Sequence, residues 1–419
     1  MMFRAKYVVQ SAKKFFENGA VRVESGRIAD IGSASSVSGS GGVVDFGECA
    51  IVPGFVNAHT HLQLSALSGS APHEGTFADW LRRVVELKRR MTRDDFLAST
   101  SAGIRESIET GTATLANVAG DDTALKEIAV SGMRCFAFLE VIALEKFRAA
   151  DTLDTLGDRY EAARRFNGLN IGVAPHAPYT VSAELMRGCV EFARKRDLPL
   201  SLHAAETAEE AAFLHGHDGS IAAFLRDMEV SLDDWEPPRA TPVKYLASLG
   251  VLSKRTLLVH CNYLTQDEIK TIKESGGNVI YCPRSSAFFG HVDYPLRRLL
   301  DARVNVALGT DSLASNDSLS VLDEVKCLAR RHRKMFPAIF WEMATINGAK
   351  ALGIAKRTGT LEKKKSADMA VISVEGCSGR TPLEMAVEDE ARVVATIAEG
   401  RVLHDAFGMT GAQQGGKNA

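Results

Sequence analysis

The middle of this 419-residue chain alternates short apolar segments with longer amphipathic ones. Strands are predicted at 51–58, 112–118, 134–141, 170–175, 199–203, 256–261, 277–282 and 304–310. The segments between them carry apolar residues at helical spacing and end near glycine or a basic residue. Eight strand–helix units over about 300 residues favour a closed (β/α)8 TIM barrel, an α/β fold, over an open doubly wound sheet. No GxGxxG motif follows the first strand, which weakens the open-sheet alternative further.

Short β-rich segments flank the barrel at both ends of the chain. Residues 4–32 alternate around Ser25 and Gly26, which is typical of a hairpin, and residues 367–405 return to short strands. The simplest packing is one small β-sandwich domain built from both termini. We therefore predict a β domain at 1–52 plus 362–407, a barrel at 53–361, and a disordered tail at 408–419.

Composition excludes several classes of partner and compartment. A net charge of −2 and a pI near 6.6 argue against nucleic acid and against an anionic membrane surface. The seven cysteines are scattered without a CxxC pair, which is typical of neither a disulfide framework nor a thiolate zinc site. The sequence shows neither an apolar signal core nor a run approaching ~18 apolar residues. We expect a cytoplasmic protein that binds a small molecule, and a homodimer is the candidate assembly.

Histidine and acidic residues follow many of the predicted strands. The carboxyl ends of barrel strands meet on one face, where the chemistry of such folds is located. The residues at these ends are His59 and His61, His176, His203 followed by Glu206, His260, and Asp311. His59 and His61 are two positions apart, so on a strand they project together. An isolated HxH pair would be read as two loop residues, but this set indicates a metal site.

The strand-end motifs PGFVNAHTH, HAAET, VHC and GTDS, in this order, resemble those of the amidohydrolase superfamily. The resemblance implies that the metal ligands are His59, His61, His203 and Asp311, with His260 beside the metal-bound water. Two-metal members carry a modified lysine at the end of the fourth strand, where this chain has APHAP. We therefore predict one divalent ion, zinc in the first place and iron as the alternative.

Glu206 is the candidate that distinguishes deamination from amide hydrolysis. It lies three residues after His203, where it is placed to carry a proton from the attacking water to a ring nitrogen of the substrate. Asp311 and His260 can accept the proton of that water. In the single-metal deaminases that the chain resembles, the glutamate of the HxxE motif plays this part. The HxE and PCxxC signature of cytidine deaminases is absent.

The loops after the strands are expected to select the substrate. By resemblance, His176 in PHAPYT contacts the base or sugar, and an arginine suits a substrate carboxylate. The further candidate substrate-binding residues are Gln63, Trp80, Arg148 and Arg284.

Seven segments, from HTHLQLSAL and FADWL to LGTDSLASN, are most similar to aminodeoxyfutalosine deaminases. This similarity implies conversion of 6-aminodeoxyfutalosine to futalosine and ammonia, a step of menaquinone biosynthesis. The chain also resembles methylthioadenosine/S-adenosylhomocysteine deaminases. The alternatives are therefore deamination of methylthioadenosine, S-adenosylhomocysteine or adenosine, or hydrolysis of another amino- or chloro-heterocycle. A non-catalytic scaffold is least favoured because Glu206 and Asp311 are both present.

Overall fold

The computed structural model describes residues 1–39, 41–216 and 218–408. Its strands are Met2–Ser11 (β1), Lys14–Glu24 (β2), Arg27–Ser33 (β3), Val43–Asp45 (β4), Cys49–Pro53 (β5), Phe55–Thr60 (β6), Thr112–Ala119 (β7), Arg134–Val141 (β8), Leu169–Pro175 (β9), Leu200–Ala204 (β10), Thr256–His260 (β11), Asn278–Tyr281 (β12), Asn305–Leu308 (β13), Met369–Ser373 (β14), Arg392–Ala398 (β15) and Arg401–Asp405 (β16). Residues 409–419 of the predicted tail lie outside the described ranges.

Fifteen α-helices connect or follow these strands in the described ranges. They are Phe77–Arg90 (α1), Arg93–Glu109 (α2), Leu125–Val130 (α3), Ala149–Ala163 (α4), Ala183–Lys195 (α5), Ala208–Gly216 (α6), Ser220–Asp227 (α7), Pro242–Ser248 (α8), Gln266–Ser275 (α9), Pro283–Phe288 (α10), Leu296–Asp301 (α11), Val321–Arg331 (α12), Pro337–Ala344 (α13), Ile346–Ala351 (α14) and Pro382–Met385 (α15). Two 3-10 turns lie at Leu62–Leu67 and Lys146–Arg148. None of the described helices is both long and apolar enough to cross a membrane.

The barrel is the central element, and its prediction is confirmed. Strands β6 to β13 pair in sequence order, and all of their pairings are parallel. The eighth strand approaches the first through an isolated parallel bridge between Thr60 and Asp311. The backbone amides of Thr310 and Asp311 donate to the carbonyl oxygen of His59 at 3.0 and 3.1 Å. Closure of the barrel therefore brings the first and last strand-end motifs together.

The strands of both termini join in one unit, as the sequence predicts, but in place of the predicted β-sandwich they form a single mixed sheet, because they pair edge to edge in one continuous order. Its order is β16-β15-β14-β5-β1-β2-β3, and β4 pairs with β1. Strand β5 is parallel to β1 and antiparallel to β14, so this sheet interleaves the two ends of the chain. A buried ion pair joins the sheet to the barrel, because Arg134 at the start of β8 donates to Asp368 at 2.5 Å.

The predicted strand at 51–58 is wrong in its bounds, because the segment contains two strands. Cys49–Pro53 belongs to the terminal sheet and Phe55–Thr60 opens the barrel. The chain changes sheets at Gly54, where an added Cβ would lie 2.6 Å from the Cβ of Ala113. Both strands are fully buried, so the apolar run continues across the change and hides it in the sequence.

Candidate metal centre and active site

Three histidines from two strands form a cluster at the carboxyl end of the barrel. His59 and His61 lie at the end of β6, and His203 lies on β10. All three are buried, and one ring nitrogen of each lies within 4.8 Å of the others. The Nδ1 of His203 lies 2.9 Å from the carbonyl oxygen of His176, so it donates there and leaves Nε2 as the free lone pair.

The donor set at this cluster fits a divalent transition metal. Both ring nitrogens of His59 are buried without a hydrogen-bond partner, which is costly unless something binds them. The Oδ1 of Asp311 lies 3.6 Å from Nε2 of His59 and 3.8 Å from Nε2 of His61. Three imidazoles and one nearby carboxylate are ligands that zinc prefers, and iron accepts them too.

Two serines orient the carboxylate of Asp311. The hydroxyls of Ser285 and Ser315 each donate to Oδ2 at 2.8 Å, so Oδ1 is left facing the histidines. Burial alone would raise the pKa of Asp311, but its interaction with His59 and the charge of His260 hold that pKa well below its usual value. Asp311 is therefore ionised near neutral pH. Sequence reasoning missed both serines, although they stand in PRSS and DSLAS, just after strand ends.

Glu206 lies beside the histidine cluster, and its pKa is shifted in the direction opposite to that of Asp311. Its Oε1 lies 3.4 Å from Nε2 of His260, and both side chains are buried. Burial raises the pKa of Glu206 well above its ordinary value, and the charges of Asp311 and Glu210 add to the effect. Burial also lowers the pKa of His260 to about 3. Burial thus favours the neutral carboxylic acid form of Glu206 and the neutral imidazole form of His260, so one cavity holds a candidate proton donor beside the carboxylate of Asp311.

The backbone at these strand ends is strained. Ala205, His260, Cys261 and Asp311 have φ values of +49°, +70°, +55° and +60°. Non-glycine residues in this region cost on the order of 1–3 kcal/mol each, and they cluster at functional sites. The strain turns the chain out of β10, β11 and β13 just where the polar side chains begin.

A cavity of about 280 Å³ opens above the cluster. Its polar lining includes His61, His203, Glu206, His260 and Asp311. Its apolar lining includes residues from α1 and α7, namely Phe77, Trp80, Leu81, Val84, Val85, Phe224 and Leu225. Three larger cavities, one of about 520 and two of about 570 Å³, contain none of the metal-site residues. The smaller cavity is therefore the candidate active site.

The structure brings three of the five predicted substrate-binding residues to this cavity. His176 and Gln63 line it, and so does Trp80, whose indole Nε1 donates to the carbonyl oxygen of Ala314 at 3.3 Å. The Nδ1 of His176 lies 2.7 Å from the hydroxyl of Thr180, which fixes the ring.

The two predicted arginines do not line the cavity. The side chain of Arg148 is 54% exposed on a 3-10 turn and faces Glu145 at 3.7 Å. Arg284 pairs with Asp317 and Asp323 beside one of the larger cavities. Neither arginine is thus among the residues that line the cavity beside the metal-site histidines, and binding of a substrate carboxylate by either one stays a prediction.

Two charged residues that sequence reasoning missed do line the cavity, namely Lys88 of α1 and Glu140 of β8. The signal for Lys88 was its spacing, because it continues the apolar face of Phe77, Leu81 and Val84 by one further helical turn. A single charge on an otherwise apolar helix face is the feature that could have identified it.

The chain is similar to known proteins over most of its length. Residues 50–403 match the model of the amidohydrolase family. The 5-methylthioadenosine/S-adenosylhomocysteine deaminase of Nitratidesulfovibrio vulgaris strain Hildenborough is 30% identical over 378 residues, which is 87% of this chain and 80% of the relative. A zinc-bound adenosine deaminase from Xanthomonas campestris superimposes with a TM-score of 0.80 at 24% identity, covering 96% of this chain and 92% of that one. An aminofutalosine deaminase from Helicobacter pylori, in complex with methylthio-coformycin, gives 0.82 at 22% identity, with 96% and 99% covered.

Proposed function

Because the chain belongs to the amidohydrolase family and is a hydrolase of C–N bonds, we propose that it deaminates adenosines carrying a 5′ substituent. The best-supported substrates are methylthioadenosine and S-adenosylhomocysteine, after which the 30% identical relative is named. One observation carries the proposal: Glu206, whose pKa is raised, and Asp311, whose pKa is lowered, face the same cavity beside three buried imidazoles that can bind a metal.

The residues that would hold the metal are His59, His61 and His203, with Asp311 beside them. A divalent ion bound there supplies Lewis acidity, which makes a water molecule acidic near neutral pH. Asp311 accepts the proton that the attacking water loses, since its carboxylate is ionised and held by two serines.

Glu206 supplies the other proton transfer. Its carboxylic acid donates to a ring nitrogen next to the amino-bearing carbon, which makes that carbon a better target for the water. Neutral His260, whose Nε2 lies 3.4 Å from Oε1 of Glu206, orients that acid. Asp311 then passes the proton it accepted to the departing amino group, and Glu206 regains a proton from the hydroxyl group added to the ring, so ammonia leaves and the ring becomes that of an inosine. The cavity is buried enough to keep bulk water away from these steps.

The cavity walls are suited to a nucleoside with an apolar extension. The α1 and α7 side is aromatic and aliphatic, and the few polar groups stand at the metal end and at Gln63, Lys88 and Glu140. A mostly apolar cavity with a few polar groups is typical of small-molecule sites, and a thioether at the 5′ position matches such a wall.

A second candidate substrate is 6-aminodeoxyfutalosine, which the motifs HTHLQLSAL and FADWL favour. It shares the adenine ring and the reaction, and it differs in its 5′ substituent, which carries a carboxyphenyl group. We place it second because the 30% identical relative is a methylthioadenosine/S-adenosylhomocysteine deaminase. A role in menaquinone biosynthesis depends on this second candidate.

A substrate panel tests the proposal directly. Zinc-loaded protein is incubated with adenosine, methylthioadenosine, S-adenosylhomocysteine and 6-aminodeoxyfutalosine, and with guanine and cytosine as outgroups. We expect ammonia and the corresponding inosine product from the adenine nucleosides alone. The matched control is Glu206→Gln, which keeps the side-chain shape and the metal ligands. Absence of ammonia from every adenine nucleoside, with stoichiometric zinc bound, would refute the proposed function.

A further inference from the structure

Lys88 is a half-buried cation that the reaction outlined above does not use. It lies in the last turn of α1 and lines the active-site cavity. Two earlier basic residues of this helix have acidic partners: Arg82 pairs with Asp79 and Asp227, and Arg83 pairs with Glu74. Within the described ranges, the ammonium of Lys88 has neither an ion pair nor a hydrogen bond. A half-buried charge without a partner is costly, so a ligand group is the natural counter-ion.

The surroundings of Lys88 define what such a ligand group is attached to. Val84 and Val85 lie one helical turn before Lys88 on α1, and the apolar lining of the same cavity includes Leu81, Met228 and Val230. Glu140 is the one further carboxylate of the cavity besides Glu206 and Asp311, and it lies beyond ion-pair distance of Lys88. Burial would raise the pKa of Glu140, but His176 and Lys88 hold that pKa below its ordinary value. The carboxylate of Glu140 and the ammonium of Lys88 therefore line the same cavity as charged groups. This end of the cavity thus offers an unpaired cation beside an apolar surface.

We propose that Lys88 binds a carboxylate carried by the 5′ substituent of the substrate and so selects among adenine nucleosides. The inference rests on the proposed function and sharpens it. An ammonium desolvated by apolar neighbours forms a strong charge-assisted hydrogen bond with a carboxylate. S-adenosylhomocysteine carries such a group on its amino-acid tail, and 6-aminodeoxyfutalosine carries one on its phenyl ring. Methylthioadenosine has no carboxylate and leaves Lys88 unpaired.

The two carboxylate-bearing substrates differ in whether they carry a second charged group that the cavity can bind. The tail of S-adenosylhomocysteine also has an ammonium group, for which Glu140 is a complementary charge, whereas the carboxyphenyl group has none. Steady-state kinetics on both compounds therefore shows which source the site prefers. In either case the shared requirement is the carboxylate at Lys88.

The test compares Lys88→Met, Lys88→Arg and the matched control Arg90→Met on the three nucleosides. Arg90 is exposed two residues away on the same helix and lies outside the cavity. We expect the wild-type protein to favour a carboxylate substrate over methylthioadenosine by about tenfold or more in kcat/KM. Lys88→Met lowers that value by about 10–100-fold, mainly through KM, and lowers the methylthioadenosine value by less than about threefold. Lys88→Arg restores most of the loss, and Arg90→Met changes nothing.

The outcomes separate this inference from the function on which it rests. A wild-type protein that deaminates none of the nucleosides overturns the proposed function itself. A protein that deaminates methylthioadenosine without favouring a carboxylate substrate overturns the role of Lys88 and leaves the function standing. Equal losses of Lys88→Met on all three nucleosides, or a loss in kcat alone, also overturn it, because a structural role produces that pattern. A loss confined to the carboxylate substrates and reversed by arginine supports it.

Discussion

Replacing Gly309 by alanine should disturb the metal centre without touching a metal ligand. Gly309 follows β13 where the last barrel strand passes the first. An added Cβ would lie 2.8 Å from the Cβ of His59 and 2.9 and 3.1 Å from its backbone oxygen and nitrogen. Carbon atoms pack at about 3.5–4.0 Å, so the strands must separate by roughly 0.7 Å or more. Metal–ligand distances tolerate only about 0.2 Å. We expect a cost of about 1–3 kcal/mol in unfolding free energy and zinc affinity about 10–100-fold weaker.

Two measurements on purified protein check this prediction. Zinc affinity is obtained by competition with a chromophoric chelator, and stability is obtained from urea unfolding of the metal-free protein. Gly157→Ala is the control, because Gly157 lies within α4 and an added Cβ there meets no atom within 4 Å. It should leave zinc affinity unchanged and stabilise by about 0.5–1 kcal/mol. Wild-type zinc affinity and stability in Gly309→Ala would show that the contact between the first and last strands does not position His59.

Three further predictions concern single side chains. Glu206→Gln should keep one bound zinc per chain, measured by elemental analysis, and lose about 10²–10⁴-fold in kcat; a wild-type rate would remove Glu206 from proton transfer. Arg134→Met strands Asp368 as a buried unpaired charge, so urea unfolding should show a loss of about 3–5 kcal/mol, whereas Arg330→Met at an exposed pair should cost less than about 1 kcal/mol. Burial raises the pKa of Glu324 to about 8, so the folded state holds more protons than the unfolded state between about pH 4.5 and 8. Stability should therefore fall as pH rises through that window, and Glu324→Gln should flatten the fall; identical pH slopes in the two proteins would contradict this.

The sequence predicted the barrel well because buried parallel strands are apolar on both faces and short. Seven of the eight predicted strands agree with the structure to within two residues at each end. The exception is the first, where β5 and β6 are both buried, and the change of sheet at Gly54 leaves no polar residue to mark it. Which strands share a sheet depends on contacts hundreds of residues apart, such as β5 with β14, and periodicity carries no information about them.

The metal site was also predictable, because its members are strand-end residues and a barrel brings all strand ends to one face. The opposite pKa shifts of Glu206 and Asp311 were harder to predict from the sequence. Glu206 and Asp311 are both buried, and they differ because histidines lower the pKa of Asp311, whereas burial, with Asp311 and Glu210 beside it, raises the pKa of Glu206. Those neighbours come from distant parts of the sequence, so only the folded chain shows in which direction each pKa shifts.

Substrate selectivity depends on helix docking, which motifs at strand ends do not describe. Helix α1 reaches across the cavity because Arg82 pairs with Asp227 of α7 and the amide of Phe77 donates to Glu209 of α6. These contacts place the side chain at position 88 in the cavity, whatever that side chain is. A chain with the same four strand-end motifs and another residue at position 88 would keep the metal site, and under the proposed role of Lys88 it would select a different 5′ substituent. The motifs therefore predict the metal site, and we propose that the charge on this one helix face selects among the substrates.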